Sequence, residues 1–277
     1  MTLRQGIARL AAMEEVNFLV TNRIPRRLMT RFVGWLSRIE QPWVARPTIY
    51  LWRLFCDVDL SEAEKTHFSS MRDCFTRSLR PGARSFDPDA QVFTSPCDSL
   101  LGAHGTVERG QAHQIKGAPY RLGELIGDEA EAGAYEGGLY ATLRLTAGMY
   151  HHFHAPCDLT VERVGFIAGD CWNVNSPALK RVERLFCRNA RAVLRCRTAE
   201  SVPFLIVAVA AILVSDIRLA FDVAERVTLR KGDEMGWFEQ GSTILLFLPS
   251  GFAFTPGRAP GDRLRAGDAL LRAPHAL

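Results

Sequence analysis

Residues 24–39 repeat apolar side chains at intervals of three and four: Ile24, Leu28, Phe32, Trp35 or Leu36, and Ile39. That spacing lines one face of an α-helix. Arg26, Arg27, Arg31 and Arg38 fall off the stripe. A basic helix with Phe and Trp on its apolar side has the composition of a helix lying in a membrane interface. The same pattern fits a surface helix packed on a core. Residues 47–55, with Tyr50, Trp52 and Phe55, predict a second helix. Ser61 with Glu64 three residues on is a capping-box pattern and predicts another short helix start.

From about residue 90 the period changes. Short β-like runs fall at 91–94, 139–145, 159–167, 192–197, 204–214, 217–221, 227–229 and 243–248. Ile217, Leu219 and Phe221 alternate with Arg218, Ala220 and Asp222, so that strand buries one face. The uniformly apolar run 204–214 is expected to cross the centre of the fold. Residues 178–188 have helical spacing. The expectation is an α+β protein, a helical segment over 1–60 followed by a β-rich, sandwich-like body over 61–277.

The chain has 277 residues, 47% hydrophobic and 23% charged, the balance of a globular protein. Its net charge of +4 is concentrated in residues 1–40, where seven Arg face three Glu. A basic segment on a neutral body points to an anionic partner, a membrane surface or a nucleic acid. The longest uncharged apolar run is 202–214, short of the about 20 residues a membrane span needs. Arg4, Arg9, Glu14 and Glu15 interrupt the first twenty residues, so no signal peptide is expected. Seven Cys at irregular spacing argue against a disulfide framework and for a reducing compartment.

Three segments carry candidate chemistry. MYHHFHAPC, residues 149–157, packs His151, His152 and His154 together, suited to acid–base work. With Cys157 they also have the donor types of a zinc site, although no carboxylate or second Cys cluster stands near in sequence. WFEQGST, residues 237–243, places Gly241 before Ser242 at the entrance to an apolar strand. That is ordinary turn chemistry. It is also where a hydroxyl can attack the preceding carbonyl and shift the acyl group from N to O, given a base. FTSPCD, residues 93–98, ends in Asp98, which is placed either as a solvated turn residue or as the orienting carboxylate of a catalytic His. A triad would then run Asp98, His154, Ser242.

Together these segments resemble the phosphatidylserine decarboxylase proenzymes, along nearly the whole chain. The family's P-x-D segment is similar to Ser95-Pro96-Cys97-Asp98. Its YHRxHxP segment is similar to the run from Tyr150 to Pro156, and its KGxEMGxFxxGST segment to the run from Lys231 to Thr243. FTRSLR at 75–80, Lys116-Gly117 with Tyr120, Gly169-Asp170 with Val174-Asn175, and LFCRN at 185–189 add to the likeness. The chain departs from the family pattern in three places. Gln240 stands for Leu before GST, Cys97-Asp98-Ser99 for Ala-Asp-Gly, and His152 for an Arg.

The resemblance implies autocatalytic cleavage of a zymogen between Gly241 and Ser242, giving chains 1–241 and 242–277 that stay together as a heterodimer, itself able to pair. Ser242 would become a covalent pyruvoyl group, with Asp98 and His154 activating its hydroxyl beforehand. The pyruvoyl carbonyl would form a Schiff base with the amine of phosphatidylserine and act as electron sink for loss of CO2. His151 would donate the proton. No metal and no nucleic acid are implied. The partners are phosphatidylserine and an anionic membrane surface, and the expected place is the cytoplasmic face of the cell membrane, bound peripherally. A decarboxylase of another amino-headgroup or amino-acid substrate, and an unprocessed lipid-binding relative, remain the alternatives.

Overall fold

The computed structural model describes residues 14–15, 18, 25–56, 58–211, 217–239 and 242–274, with Arg26 and Arg27 as backbone only. Ile24 of the predicted stripe, the stretch 212–216, and Gln240 and Gly241 lie outside the described residues. Three helices come first: α1 (Arg26–Ser37), α2 (Pro42–Phe55) and α3 (Met71–Phe75). The body follows as β1 (Val92–Thr94), β2 (Ser99–Thr106), β3 (Gln111–Ile115), β4 (Ala118–Arg121), α4 (Leu122–Ile126), α5 (Glu129–Ala132), β5 (Leu139–Leu145), β6 (His152–His154) and β7 (Leu159–Ile167). It continues as α6 (Ser176–Arg181), α7 (Leu185–Arg188), β8 (Arg191–Thr198), β9 (Pro203–Ala210), β10 (Ile217–Leu219), β11 (Val227–Leu229), β12 (Glu234–Phe238), β13 (Ser242–Leu248), β14 (Ala253–Phe254), β15 (Arg263–Leu264) and β16 (Ala269–Arg272).

The centre is an eight-stranded antiparallel sheet in the order β11-β7-β8-β9-β13-β5-β2-β15. Its middle strands β9 and β13 are almost wholly buried. An antiparallel sheet with one wet face alternates polar and apolar residues, whereas these strands are continuously apolar because both faces are covered. On β13, Ile244, Leu246 and Leu248 join one core with Phe93, Phe153, Met235, Phe238 and Leu271, from two three-stranded sheets, β1-β16-β14 and β10-β12-β6. Leu245 and Phe247 join a second core with Leu122, Leu125, Leu179, Leu185 and Phe186 of the small helices. Each fully buried Leu or Phe contributes about 1.5–3 kcal/mol. The body is therefore sandwich-like on one face and helix-covered on the other, α+β with β predominating.

The helical layer is built the other way round. On α1 the buried side chains are Thr30 and Ser37, whereas Leu28, Phe32 and Trp35 are 65%, 55% and 60% exposed. On α2, Ala45 and Trp52 are buried and Trp43 is 78% exposed, with Tyr50, Leu51 and Phe55 also outward. The predicted apolar stripe is real, but it is not the face by which α1 packs. Trp52 meets Cys74 and Phe75 in a small satellite core that joins α2 to α3.

Local readings are corrected in places. No helix starts at Ser61. Its N–H donates to Asp59 Oδ1, and Ala63 bridges Leu79 instead. The cap falls nine residues on, where the Ser70 hydroxyl accepts from the Asp73 N–H at the start of α3. The helix expected over 178–188 breaks into α6 and α7, because Arg184 takes a left-handed φ of 52° between them. No disulfide joins the seven cysteines. Among the described residues, no helix is long and apolar enough to cross a membrane.

Candidate active site

Ser242 opens β13, paired in register with Leu145 of β5 and Ala210 of β9. It is fully buried, and its hydroxyl has no hydrogen-bond partner among the described residues. Leaving a buried hydroxyl unpaired costs about 1–3 kcal/mol, a cost the central strand of a well-packed sheet carries for a reason other than stability.

The histidine segment reaches the same region through β6, which pairs with β12 just upstream of Ser242. Register places His152 against Trp237, and the Phe238 N–H donates to the His151 carbonyl at 3.0 Å. His154 Nδ1 lies 3.0 Å from the Gly232 carbonyl. A carbonyl only accepts, so Nδ1 carries the proton and Nε2 keeps its lone pair. Gly232 can aim that carbonyl because it turns at φ 91°, a conformation other residues resist. Burial lowers the His154 pKa, keeping the ring neutral. Its Nε2 accepts from the Tyr150 hydroxyl at 3.2 Å.

His151 is fully buried, and both of its ring nitrogens lack a partner among the described residues. Burial, with the charge of Arg77, pushes its pKa down to about 3. Its ring packs on Phe75, centroids 3.9 Å apart, and Phe75 packs in turn on Trp52 at 5.5 Å. The exposed helical layer and the site thus share one row of rings.

Asp98 stands in this neighbourhood without bonding His154. Its carboxylate takes Arg84 Nε at 2.8 Å and Nη2 at 2.5 Å, and the Ala266 N–H at 2.9 Å. Arg84 also pairs with Glu62 and lies over the Tyr150 ring. The structure gathers Asp98, Arg84, Tyr150 and His154 into one network, with the Gly232 carbonyl occupying the position on Nδ1 that a triad carboxylate would take.

His152 Nδ1 lies 2.9 Å from Glu234 and its Nε2 3.1 Å from the Thr76 carbonyl, with the ring stacked between Tyr150 and Trp237. The histidines therefore turn to separate partners. No group of His, Cys, Asp and Glu among the described residues is placed to hold a metal.

Residue patterns did not reveal several arginines of the site. Buried Arg77 donates to the Asp59 and Gly148 carbonyls, and its one signal was the FTRSLR run. Arg84 had none. Glu239, buried two residues before Gly241, collects Arg38 of the helical layer at 3.4 Å, Arg218 at 3.3 Å, and Arg72. Its spacing to those residues, 201, 21 and 167 positions respectively, is invisible to any local pattern.

Fold and site together define a β-rich α+β protein with a buried serine hydroxyl, unpartnered among the described residues, at the head of a central strand. The sequence profile described as phosphatidylserine decarboxylase matches residues 71–272. A phosphatidylserine decarboxylase proenzyme of Polaromonas naphthalenivorans is 33% identical over 89% of this chain and 93% of its own. One from Methylibium petroleiphilum is 33% identical over 94% and 99%, and one from Anaeromyxobacter is 35% identical over 89% and 94%. The chain belongs to the phosphatidylserine decarboxylase family.

Proposed function

We propose that the chain is a self-processing phosphatidylserine decarboxylase. It cuts itself between Gly241 and Ser242 and converts phosphatidylserine to phosphatidylethanolamine and CO2. The observation that carries the reading is the buried, unpartnered Ser242 hydroxyl at the head of the central strand, in a chain of this family. The residues present fit a pyruvoyl group made from that serine, since the hydroxyl is committed to no other described residue.

In the first stage the Ser242 hydroxyl attacks the Gly241 carbonyl, turning the peptide into an ester. His154 takes the proton on Nε2, the nitrogen its Gly232 bond leaves free of hydrogen. Tyr150, now on that nitrogen, stands between the base and the proton it collects. Asp98 acts through Arg84 and Tyr150, fixing the ring network rather than touching the imidazole. Elimination of the ester frees the Gly241 carboxylate and leaves a dehydroalanine, and water hydrolyses its imine tautomer to ammonia and the pyruvoyl carbonyl. That group supplies a carbonyl for the substrate amine and an electron sink. His151, whose two nitrogens no described residue occupies, is left to deliver the proton to the product carbon.

The outward aromatic face of α1 and α2 supports peripheral binding at an anionic membrane, on its cytoplasmic side. Exposed aromatics on a basic layer enter the interface while the site beneath receives the headgroup.

The test is turnover. Purified protein given phosphatidylserine in mixed micelles should release CO2 and form phosphatidylethanolamine in equal amounts. Cleaved protein that forms neither would contradict the assignment.

A further inference from the structure

Arg144 on β5 carries a charge that nothing among the described residues neutralises. Arg77 bonds two carbonyls but leaves Nε and Nη1 without a partner among the described residues, whereas other arginines set into the body are paired. Arg84 has Asp98 and Glu62, Arg195 has Glu131, and Arg191 has the carbonyls of Leu125, Cys187, Asn189 and Glu124. Arg144 is half-buried, and burial alone acts on it, lowering its pKa with no opposing carboxylate. A guanidinium stays protonated in proteins, so a partly desolvated cation is held with no partner among the described residues, an arrangement folding disfavours.

What it faces is a cavity of about 330 Å³. Among the described residues Arg144 is the one charged group on its walls, which are otherwise largely apolar, with Val33, Trp52 and Phe75 contributed by the helical layer. Register fixes where this cavity lies. Leu145 lines it and is the β5 partner of Ser242. Ala211 lines it and follows Ala210, the β9 partner of Ser242. Arg144 pairs with Thr243, so its side chain leaves the sheet on the face opposite Ser242, and it reaches the cavity where this wraps the strand ends. Phe75, also on the cavity wall, packs on His151. The cavity therefore sits at the strand ends from which residue 242 would meet substrate.

We propose that Arg144 binds the phosphodiester of the substrate headgroup in this cavity and makes the enzyme selective for phosphate-bearing amines. The inference rests on the decarboxylase reading above. In a phosphoserine headgroup the phosphodiester is only a few bonds from the amine that must reach residue 242. The planar fork of arginine matches two phosphate oxygens at once. The substrate carboxylate is the poorer candidate. Pairing it with a cation would stabilise the ground state that decarboxylation has to leave, and so oppose the reaction. Val33, Trp52 and Phe75 then line the way out for the acyl-glycerol end of the lipid.

Arg144 also borders a second cavity of about 720 Å³ on the sheet, which Lys116, His104 and His113 line as well. Lys116 therefore serves as the control for a phosphate bound on that side.

The experiment compares cleaved wild type with Arg144→Met, Arg144→Lys and Lys116→Gln. Binding of glycerophosphocholine, a phosphodiester whose quaternary amine cannot condense with a carbonyl, is measured by calorimetry, with inorganic phosphate alongside. Arg144→Met should weaken glycerophosphocholine binding by about 10- to 100-fold, the worth of a charge-assisted contact. Arg144→Lys should weaken it only several-fold, and Lys116→Gln should leave it unchanged. Inorganic phosphate should bind more weakly than the diester, lacking the glycerol end. In turnover, the preference for glycerophosphoserine over O-methylserine should collapse in Arg144→Met, with O-methylserine itself unaffected. Equal glycerophosphocholine binding by Arg144→Met and wild type would overturn the proposal, as would equal losses for the two amines. A Lys116→Gln loss as large as that of Arg144→Met would move the phosphate to the second cavity and also overturn it. Should Arg144→Met fail to mature, Arg144→Lys decides, since unchanged binding and unchanged preference there would remove the need for the guanidinium fork. Wild type that binds the diester but releases no CO2 from phosphatidylserine would instead defeat the decarboxylase reading.

Discussion

The β body and the helical layer obey opposite rules. In the body, apolar residues point inward on both faces of the central sheet, and Ser242, Thr243, His151 and Arg77 are among the buried polar groups with atoms left unpaired by the described residues. In the helical layer, small polar residues such as Thr30 and Ser37 point inward while Phe32, Trp35 and Trp43 point out. The body buries its apolar residues in its own core. The layer turns its aromatic residues outward, and the proposal above gives them an apolar interface to enter. The two are joined at the site, through Trp52, Phe75 and His151 on one side and through Glu239 with Arg38 and Arg72 on the other.

The largest effect that would break this division belongs to the body. His154→Ala should accumulate full-length chain, with cleavage slowed at least about 10²-fold, the low end for loss of a positioned base. Asp98→Asn should act in the same direction and also lower the melting temperature. It strips the partner from the nearly buried Arg84, and breaking a buried ion pair costs about 3–5 kcal/mol. Gel analysis of cleavage with thermal melts of both variants is the check. Normal maturation of His154→Ala would remove it as the base.

His151→Ala comes next and should separate the two reactions. Cleavage should proceed, while turnover falls at least about 10²-fold. It should also change how stability depends on pH. His151 has a folded pKa of about 3, below its ordinary 6.5. Its contribution is therefore intact above about pH 6.5 and is lost as pH falls toward 3, because the unfolded chain binds the proton first. Denaturant midpoints between pH 7 and pH 5 should converge less steeply in His151→Ala, by up to about 2 kcal/mol. A slope equal to wild type would mean that this imidazole is charged in the fold.

The helical layer answers to a different measurement. Replacing Phe32 and Trp35 by Ser should lower binding to phosphatidylserine vesicles about 100-fold, at about 1.5 kcal/mol or more per aromatic withdrawn from the interface. Cleavage should be untouched. Arg31→Gln is the smallest change, worth about 1 kcal/mol and vanishing at high salt. Arg26 and Arg27, expected beside it, lie outside the described side chains. Cosedimentation at two salt concentrations distinguishes the two kinds of contact, and equal binding by all variants would leave the outward aromatics unexplained.

The sequence was most legible where a local rule governs. The apolar runs at 139–145 and 159–167 match β5 and β7 to the residue, and the run at 243–248 falls one residue inside β13, because burial writes its period directly into a strand. The stripe on α1 was legible as a stripe, but not its direction, since periodicity says which residues share a face and nothing about what covers it. Short pieces such as β6 and β12 went unread because three to five residues carry too little period, and tertiary pairing makes them strands. The candidates Ser242, His154, His151 and Asp98 were legible in the motifs. Their partners, Gly232, Arg84, Tyr150 and the arginines on Glu239, were not, because those contacts are set by three-dimensional packing across long separations. Ser61 misled because a capping pattern is necessary to many helix starts and sufficient for none, and here Asp59 had already taken its N–H.

The central claim is that this chain remakes itself at residue 242, and intact mass under denaturing conditions tests it most directly. The account predicts that wild type appears as two species of about 27 and about 4 kDa, by the usual mass per residue. The small one should begin with a blocked, pyruvoyl N-terminus, while Ser242→Ala remains a single chain of 30.9 kDa less one oxygen. A single 30.9 kDa species from wild type, or two species from Ser242→Ala, would contradict it.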